Sequence, residues 1–543
     1  MKFNMKNIFK IAIVSAFVSV SLSSCNDALD IIQDGELNAE NTFLNMQDMD
    51  KYLNGSVYTS LDINSGLFFS AQLTDELGMG PQNSELALSA HQFYVDVSNG
   101  GAANIWLGNY TTINRVNRLL EGAAKITPPT VAADLAKFNN ILAQARIIRA
   151  FSYFTLSSYF STDMKDPNAL GVMLIDHVPA LGETVPRVNN SAIFSFIDAD
   201  IAYAEANLAT SNGDYYRIGK NFLNAFKARY YLYRGMYPQA KTAAQAVLDS
   251  SGLILTSPLS STTPGAAPGA LAQNNDAHKK LNDYLTRNPY AKMLNNTIRG
   301  EMIFALNRPI VGAWGNIGGL FFSNSTNANG SVLYDMGRKT FNLFVNGDIR
   351  RYAYIDPTST INTNYATITN YRAADVLIID KYPGRPKLMP DPVPEDQYQE
   401  KVVAQAALRN DIPMFRLSEM YFILAECAVE EGNFAGAANY IKSVREARNY
   451  STTAPLLPVY AGKPQAYTDI LLERRKDLYL EGHRYLDLKR LGAIAGVAID
   501  RDPTDDLKTI PVTIPIDDYR MRSLPIPLAE IQGNPTIQQN PGY

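Results

Sequence analysis

The sequence has few of the residues from which catalytic and metal sites are usually built. Its 543 residues include only 2 cysteines, Cys25 and Cys427, and 4 histidines that lie far apart. Neither a disulfide framework nor a zinc cluster can be assembled from this set. No H-E-x-x-H metal motif, phosphate-binding glycine loop or G-x-S-x-G nucleophile motif occurs. The sequence therefore predicts no metal, no cofactor and none of the familiar enzyme classes.

An excess of charge of one sign is also missing. The net charge is −4 at pH 7, so there is no basic surface of the kind that binds nucleic acid. Apolar residues at 46% and charged residues at 19% are typical of a globular protein. The 31 tyrosines and 23 phenylalanines against 2 tryptophans suit a surface that stacks on uncharged polar ligands, and they equally suit a large helical core.

Long hydrophobic runs are absent after the N-terminus. Three lysines precede an apolar run from Ile11 to Val20, which is too short to span a bilayer, and Leu22-Ser23-Ser24-Cys25 follows. This pattern predicts a secretory signal peptide over residues 1–24. The tetrapeptide resembles a bacterial lipobox, which implies cleavage before Cys25 and lipid attachment to it; the alternative is plain secretion with an incidental cysteine. We expect a soluble body tethered to a membrane by lipid alone.

Most of the body has the periodicity of amphipathic helices. Helices are predicted over residues 40–62, 103–124, 135–160 and 191–209. Two later junctions, at residues 235–240 and 432–437, both read G-x-aromatic-x-x-A. The second has the small residues of a tetratricopeptide hairpin at Ala425 and Ala437, so two helical hairpins are predicted. Cys427 would be a buried apolar residue of the second hairpin.

Long inserts separate these helical parts. Residues 255–347 begin with a Ser-, Pro- and Gly-rich loop, continue with the strand-like EMIFALNRP at 301–309, and then place Trp314 among glycines. Residues 348–411 contain GDIRRY and IDKYPGRP, which predict short strands and turns. Residues 68–100 also include an exposed loop. These inserts therefore differ in character from the helical parts of the chain.

Leu471–Gly492, LLERRKDLYLEGHRYLDLKRLG, combines an apolar helical face with six charged residues at spacings of three or four. Gly482 predicts a kink or a cap in this helix. One interpretation is a scaffold helix that ion pairs lock against its neighbours; the other is a catalytic pair formed by Asp477 and Glu481. We favour the scaffold, since every acid has a base within reach. The predicted structural ion-pair residues are Arg474, Asp477, Glu481, Arg484, Asp487 and Arg490.

The same stretch resembles the C-terminal signature of the SusD/RagB-like family, through the ordering E-R-R-x-D-L-x-x-E-G-x-R-x-x-D-L-x-R over Glu473–Arg490. Three further motifs resemble those of the family and follow the family's order along the chain. They are the lipobox, the R-x-x-R-A motif beginning at Arg146 and the ending LPIPLAEIQGNPTIQQNPGY. The resemblance implies a mostly α-helical, tetratricopeptide-like superhelix with loop and short-strand inserts. Its domain would cover residues 25–543, with a helical part at about 25–250, inserts at about 255–411 and a C-terminal part at about 412–543.

The resemblance also implies a function: an outer-membrane lipoprotein, facing the cell exterior, that captures glycan and delivers it to a SusC-like TonB-dependent transporter. Peptide capture is the alternative that RagB-like chains suggest. A secreted all-helical glycosidase and a pure interaction scaffold are further alternatives from other classes. A sugar ring offers an apolar face to aromatic side chains and hydroxyls to amides. The candidate ligand residues are Trp314, Asn316, Phe93 and Tyr94; for each aromatic residue the alternative is a role in covering the core.

Overall fold

The computed structural model describes residues 42–83, 89–210, 213–260, 269, 276–307, 321, 332–367, 374–382, 410–503 and 511–543. Most of these residues are helical, and the predicted mainly α fold class is confirmed. The helices before and after the inserts pack against each other. Their apolar side chains form a continuous core that includes residues from Met49 to Ile526.

The N-terminal helical part starts at Asn45, whose side chain accepts hydrogen bonds from the first turn of the first helix. A π-helical turn at Leu53–Val57 continues this helix. Asn99 caps the long fourth helix in the same way. The helices of this part are α1 Met46–Tyr52, α2 Tyr58–Ser60, α3 Asn64–Leu73, α4 Gly100–Ala123, α5 Ala132–Phe160, α6 Asn190–Asn207, α7 Lys220–Tyr233 and α8 Tyr237–Ser250.

Among the described residues, four further α-helices lie before residue 412 and six lie after it. They are α9 Asp276–Arg287, α10 Pro289–Leu294, α11 Arg338–Asn342, α12 Arg350–Ala353, α13 Leu417–Glu430, α14 Phe434–Glu446, α15 Lys463–Asp477, α16 Arg484–Ala495, α17 Tyr519–Arg522 and α18 Leu528–Gly533. The helix α12 corrects the strand-and-turn prediction for GDIRRY. Its Arg350 has a buried set of acidic partners, and this tertiary contact outweighs the local pattern.

Within the described ranges, six short strands form three antiparallel pairs. They are β1 Leu77–Met79, β2 Leu170–Met173, β3 Arg187–Asn189, β4 Met302–Leu306, β5 Tyr334–Met336 and β6 Ile412–Arg416. Strand β4 confirms the strand predicted within EMIFALNRP, and it pairs with β6, with Leu306 opposite Ile412. Strand β1 pairs with β5, with Leu77 opposite Met336. These pairs connect the inserts to the helical core.

The two predicted hairpins are α7–α8 and α13–α14. Gly235 and Gly432 end the first helix of each with positive φ angles of 71° and 74°, which only glycine adopts easily. Although the hairpins are far apart in sequence, they pack side by side. The Cys427 thiol of α13 lies 3.4 Å from the carbonyl oxygen of Tyr237 in α8, and Lys241 pairs with Glu431. Cys427 is fully buried, as predicted.

The predicted interruption at Gly482 is confirmed, but it is a break between two helices and not a kink within one helix over Leu471–Gly492. Helix α15 ends at Asp477, a turn occupies residues 478–483, and α16 begins at Arg484. Leu480 and Gly482 have φ angles of 54° and 81° in this turn. Gly482 lies so close to the N-terminal part that an added Cβ would sit 3.2 Å from the Cα of Leu67. The chain therefore breaks where α3 crosses it, and Glu481 lies on a turn instead of a helix.

Candidate functional site

A buried cluster of charges surrounds the end of α15. The Asp477 carboxylate accepts hydrogen bonds from Arg350 at 3.2 Å, Arg416 at 3.2 Å and Arg448 at 2.7 Å. Arg416 and Arg448 also donate hydrogen bonds to the Glu301 carboxylate, at 2.7 and 2.8 Å. All five side chains are buried. These residues lie at or near the ends of strands β4 and β6 and of helices α12, α14 and α15, so the cluster connects these five elements.

Glu481 extends the cluster from the turn after α15. Its carboxylate accepts hydrogen bonds from both Arg416, at 2.9 and 3.0 Å, and Lys381. Lys381 also donates to the carbonyl oxygen of Tyr479, and the Tyr382 hydroxyl donates to the carbonyl oxygen of Leu480. Residues 374–382 are thus fixed to the turn by side chains that the sequence did not single out.

The other predicted ion-pair residues also have partners. Arg484 donates to both carboxylate oxygens of Asp75 at 2.8 Å, although the two residues lie 409 positions apart. Arg474 pairs with Asp487 at 2.7 Å, and Arg490 pairs with both Glu426 and Asp487. Of these pairs only Arg490 with Asp487 lies within one helix. The charges therefore connect different elements more than they brace a single helix.

These contacts oppose the catalytic interpretation of Asp477 and Glu481. Burial raises the pKa of each carboxyl, but the neighbouring cations outweigh burial, led by Arg448 and Arg416 for Asp477 and by Arg416 and Lys381 for Glu481. The net effect lowers both pKa values. A glycosidase needs one acid whose pKa is raised, so that it can protonate the leaving group. Both carboxylates are instead held ionised and fully bonded.

The loop over residues 89–99 places two candidate ligand residues on opposite sides. The Phe93 side chain is 2% exposed, and the Arg501 guanidinium lies 4.4 Å from its ring centre. The Tyr94 side chain is 68% exposed. Phe93 has a φ of 61°, which turns the chain sharply between the two residues. Phe93 therefore packs in the core, and Tyr94 is the residue of this pair that is open to a ligand.

Two arginines fix the backbone of this loop. Arg501 donates to the carbonyl oxygens of His91, Leu73 and Gln72, and Arg520 donates to the carbonyl oxygen of Phe93 at 2.8 Å. Such bonds hold the loop without using the Tyr94 side chain. Tyr94 is consequently an exposed aromatic ring on a backbone whose position is set by buried cations, which is a suitable geometry for stacking on a flat ligand face.

The remaining candidates and the lipid-anchor residue cannot be located in this way. Trp314, Asn316 and Cys25 lie outside the described residues. Across the described ranges no group of three or more His, Cys, Asp or Glu side chains is arranged to hold a metal ion. None of the helices in those ranges has the length and apolarity needed to cross a membrane.

Comparison with known proteins agrees with this architecture. Residues 288–543 match the model of the SusD family. SusD-like protein P25 of Formosa agariphila is 31% identical over 140 residues, which are 24% of this chain and 24% of that relative. The matched segment thus spans about a quarter of the relative's length.

Solved structures cover much more of the chain. A SusD superfamily protein from Bacteroides thetaiotaomicron VPI-5482 is 21% identical, with a TM-score of 0.68 over 92% of this chain and 100% of that chain. A laminarin binding SusD-like protein is also 21% identical, with a TM-score of 0.58 over 92% and 99%. At these identities the likeness establishes the fold. The chain therefore has the fold of the SusD superfamily structures, and residues 288–543 match the SusD family model.

Proposed function

We propose that this protein binds a glycan at the surface around Tyr94 and is not an enzyme. The observation that carries the proposal is the Tyr94 ring, exposed on a loop whose backbone is bonded by Arg501 at His91 and by Arg520 at Phe93. Because its backbone is already held, the loop loses little backbone conformational entropy when a sugar stacks on the ring. The laminarin binding structural neighbour supports a glycan as the ligand class.

The proposed ligand surface includes Trp314 and Asn316 as well as Tyr94. Trp314 stands among glycines and asparagines in the sequence, a composition that suits contacts with sugar hydroxyls. Phe93 is reassigned to the support of the loop, because its ring packs against Arg501 in the interior. The ligand surface and the charge cluster around Asp477 then have separate roles, one in binding and one in folding.

The proposal extends to location and partner. Cys25 would carry the lipid that holds the protein on the outer membrane, facing the exterior. No helix among the described residues can cross a membrane. Onward movement of a captured glycan would then require a separate transporter, and the SusD-type fold supports a SusC-like TonB-dependent barrel as that partner. Peptide capture is retained as the alternative outcome of the binding test.

A titration panel tests the ligand class. Full-length protein in mild detergent is titrated calorimetrically with β-glucan oligosaccharides, with other neutral oligosaccharides and with peptides of matched size. We expect saturable binding of an oligosaccharide, weakened in Tyr94→Ala and in Trp314→Ala while the melting temperature is unchanged. Binding of peptides alone would replace the glycan proposal with the peptide alternative.

Two measurements in the native host test the anchor and the partner. The Cys25→Ser variant should take up no labelled palmitate and should leave the membrane fraction. Affinity-tagged wild-type protein, extracted in mild detergent, should co-purify with a large outer-membrane barrel. Palmitate labelling of Cys25→Ser at the wild-type level would reject Cys25 as the lipid anchor. The proposed partner would be rejected if the tagged protein were recovered alone under conditions that preserve other outer-membrane complexes.

A further inference from the structure

A cavity of about 100 Å³ lies between helices α3, α4, α5 and α7 and the turn at residues 478–483. Exposed residues of the 61–66 loop and of α4, including Asp62, Asn104 and Gly108, line its mouth. Its inner end is formed by buried side chains of Arg229, Tyr233 and His483. The cavity is separate from the Tyr94 loop, since no residue between 89 and 99 lines it.

Two polar groups at the inner end lack a hydrogen-bond partner among the described residues. The Tyr233 side chain is 2% exposed and lines the cavity, but no hydrogen bond involves its hydroxyl. Arg229 bonds Glu419 and the Met414 carbonyl oxygen through Nε and Nη2, and none of its bonds uses Nη1. Neither atom is fully enclosed by the surrounding side chains, so both can be reached by a small molecule in the cavity and are available to bond it.

His483 adds a third donor. Arg474 has only donors, so its Nη2 must donate to the His483 Nδ1, 3.5 Å away. Burial, followed by the charges of nearby arginines, lowers the pKa of this imidazole well below its usual value, so the ring is neutral. Its one proton then sits on Nε2, for which the described residues provide no acceptor. The arginines that lower its pKa are Arg229, Arg474, Arg416 and Arg490.

The inner end of the cavity therefore presents hydrogen-bond donors in a positive electrostatic potential. The oxygens of the carboxylate at this end already have hydrogen-bond partners. Glu481 lines the cavity, but Arg416 and Lys381 occupy both of its oxygens. Among the described residues, a cation would find no free carboxylate oxygen at this depth. The walls above are apolar side chains of three helices and of the 61–66 loop: Ile63, Leu67, Phe151, Phe154 and Leu486.

We propose that this cavity binds a short-chain monocarboxylate. The carboxylate oxygens would accept hydrogen bonds from the Arg229 Nη1, the Tyr233 hydroxyl and the His483 Nε2, and the alkyl chain would lie between Phe151 and Phe154. Water takes about 30 Å³ per molecule in the liquid, so the volume suits a ligand of a few heavy atoms and excludes an oligosaccharide. This site is independent of the glycan surface.

The probe is propionate, titrated calorimetrically into the full-length protein in mild detergent at pH 7, with propanol as the neutral ligand of similar size. Tyr233→Phe removes one donor and keeps the ring against which Arg490 packs at 4.4 Å. Tyr203→Phe is the matched control: Arg146 packs over its ring at 4.5 Å, its hydroxyl has no hydrogen bond among the described residues, and it does not line the cavity.

We expect saturable propionate binding that is about tenfold weaker in Tyr233→Phe, the scale of one lost hydrogen bond to a charged group, and unchanged in Tyr203→Phe. Crystals grown with propionate should contain it against Arg229. Absence of saturable binding to wild-type protein at millimolar concentrations would overturn the proposal. Equal affinity in both variants would do the same, and propanol binding as tightly as propionate would reject the role of the carboxylate.

Discussion

The charge cluster around Asp477 and the loop carrying Tyr94 both depend on arginines, but they use them in opposite ways. In the cluster, Arg350, Arg416 and Arg448 neutralise a buried carboxylate and join distant parts of the chain. In the loop, Arg501 and Arg520 donate to the carbonyl oxygens of His91 and Phe93, and the Tyr94 side chain stays exposed. We expect the cluster around Asp477 to contribute stability, and we propose that the loop presents the ligand surface around Tyr94.

The comparison predicts the largest effect for Asp477→Ala. This variant leaves three guanidinium groups buried without one of their main acceptors, and we expect a loss of about 4 kcal/mol in the free energy of unfolding. Urea unfolding monitored by circular dichroism measures it. The control is Asp283→Ala, which breaks the exposed pair with Arg287 and should cost less than about 0.5 kcal/mol. Similar losses in both variants would contradict the role of the cluster.

A smaller loss is expected for Phe93→Ala, about 3 kcal/mol, because the variant leaves a cavity beneath Arg501. The neighbouring Tyr94→Ala should change the free energy of unfolding by less than about 0.5 kcal/mol, since that side chain is exposed. Thermal and urea unfolding of the two variants compare the two faces of one loop directly. The reverse order of stability would show that Tyr94, and not Phe93, supports the core.

Glu76 gives a pH-dependent prediction. Burial is the main cause that raises the pKa of its carboxyl from 4.5 to about 7, and one of its oxygens, Oε2, has no hydrogen-bond partner among the described residues. The folded state therefore holds the proton more tightly, so the contribution of Glu76 to stability is lost as pH rises from 4.5 through 7.

Glu76→Gln has no such loss, and its amide oxygen can still accept the Leu480 N–H. We expect this variant to be more stable than wild type by about 2 kcal/mol at pH 8 and nearly equal at pH 4.5. Urea unfolding at both pH values measures the difference. Glu446→Gln on the exposed surface of α14 should show no such pH dependence. A constant difference at the two pH values would show that folding does not raise the pKa of Glu76.

The smallest expected effect concerns ligand binding by Tyr94. Tyr94→Ala should weaken oligosaccharide binding by about 1–2 kcal/mol, through loss of one aromatic anchor. Tyr94→Phe keeps the ring and should retain most of the affinity, which separates stacking from hydrogen bonding by the hydroxyl. Calorimetric titration of the three proteins with the same oligosaccharide is the measurement. Equal affinity in all three would exclude Tyr94 from the ligand surface.

The helices and hairpins were predictable because their signals are local. Gly235, Gly432 and the periodicity of the helices all act over a few residues, and the structure confirms them. The break at residues 478–483 was not predictable in extent, because it depends on the close approach of Leu67.

The site was less accessible to sequence reasoning. The charge spacing in Leu471–Gly492 indicated ion pairs but not their partners, since Asp75 and Arg484 lie 409 positions apart. No pattern distinguished buried Phe93 from exposed Tyr94, because a positive φ at Phe93 decides which ring faces outward. Only the tertiary fold brings Glu301 and Lys381 to the charge cluster around Asp477, and only the fold brings Asp75 to Arg484.

Amide hydrogen exchange with and without the oligosaccharide found in the titration panel tests the central claim most directly. If the two regions have separate roles, ligand should slow exchange within residues 89–99 and leave residues 471–492 unchanged. Protection confined to residues 471–492, with none in the loop, would contradict the account and return the charge cluster to consideration as the binding site.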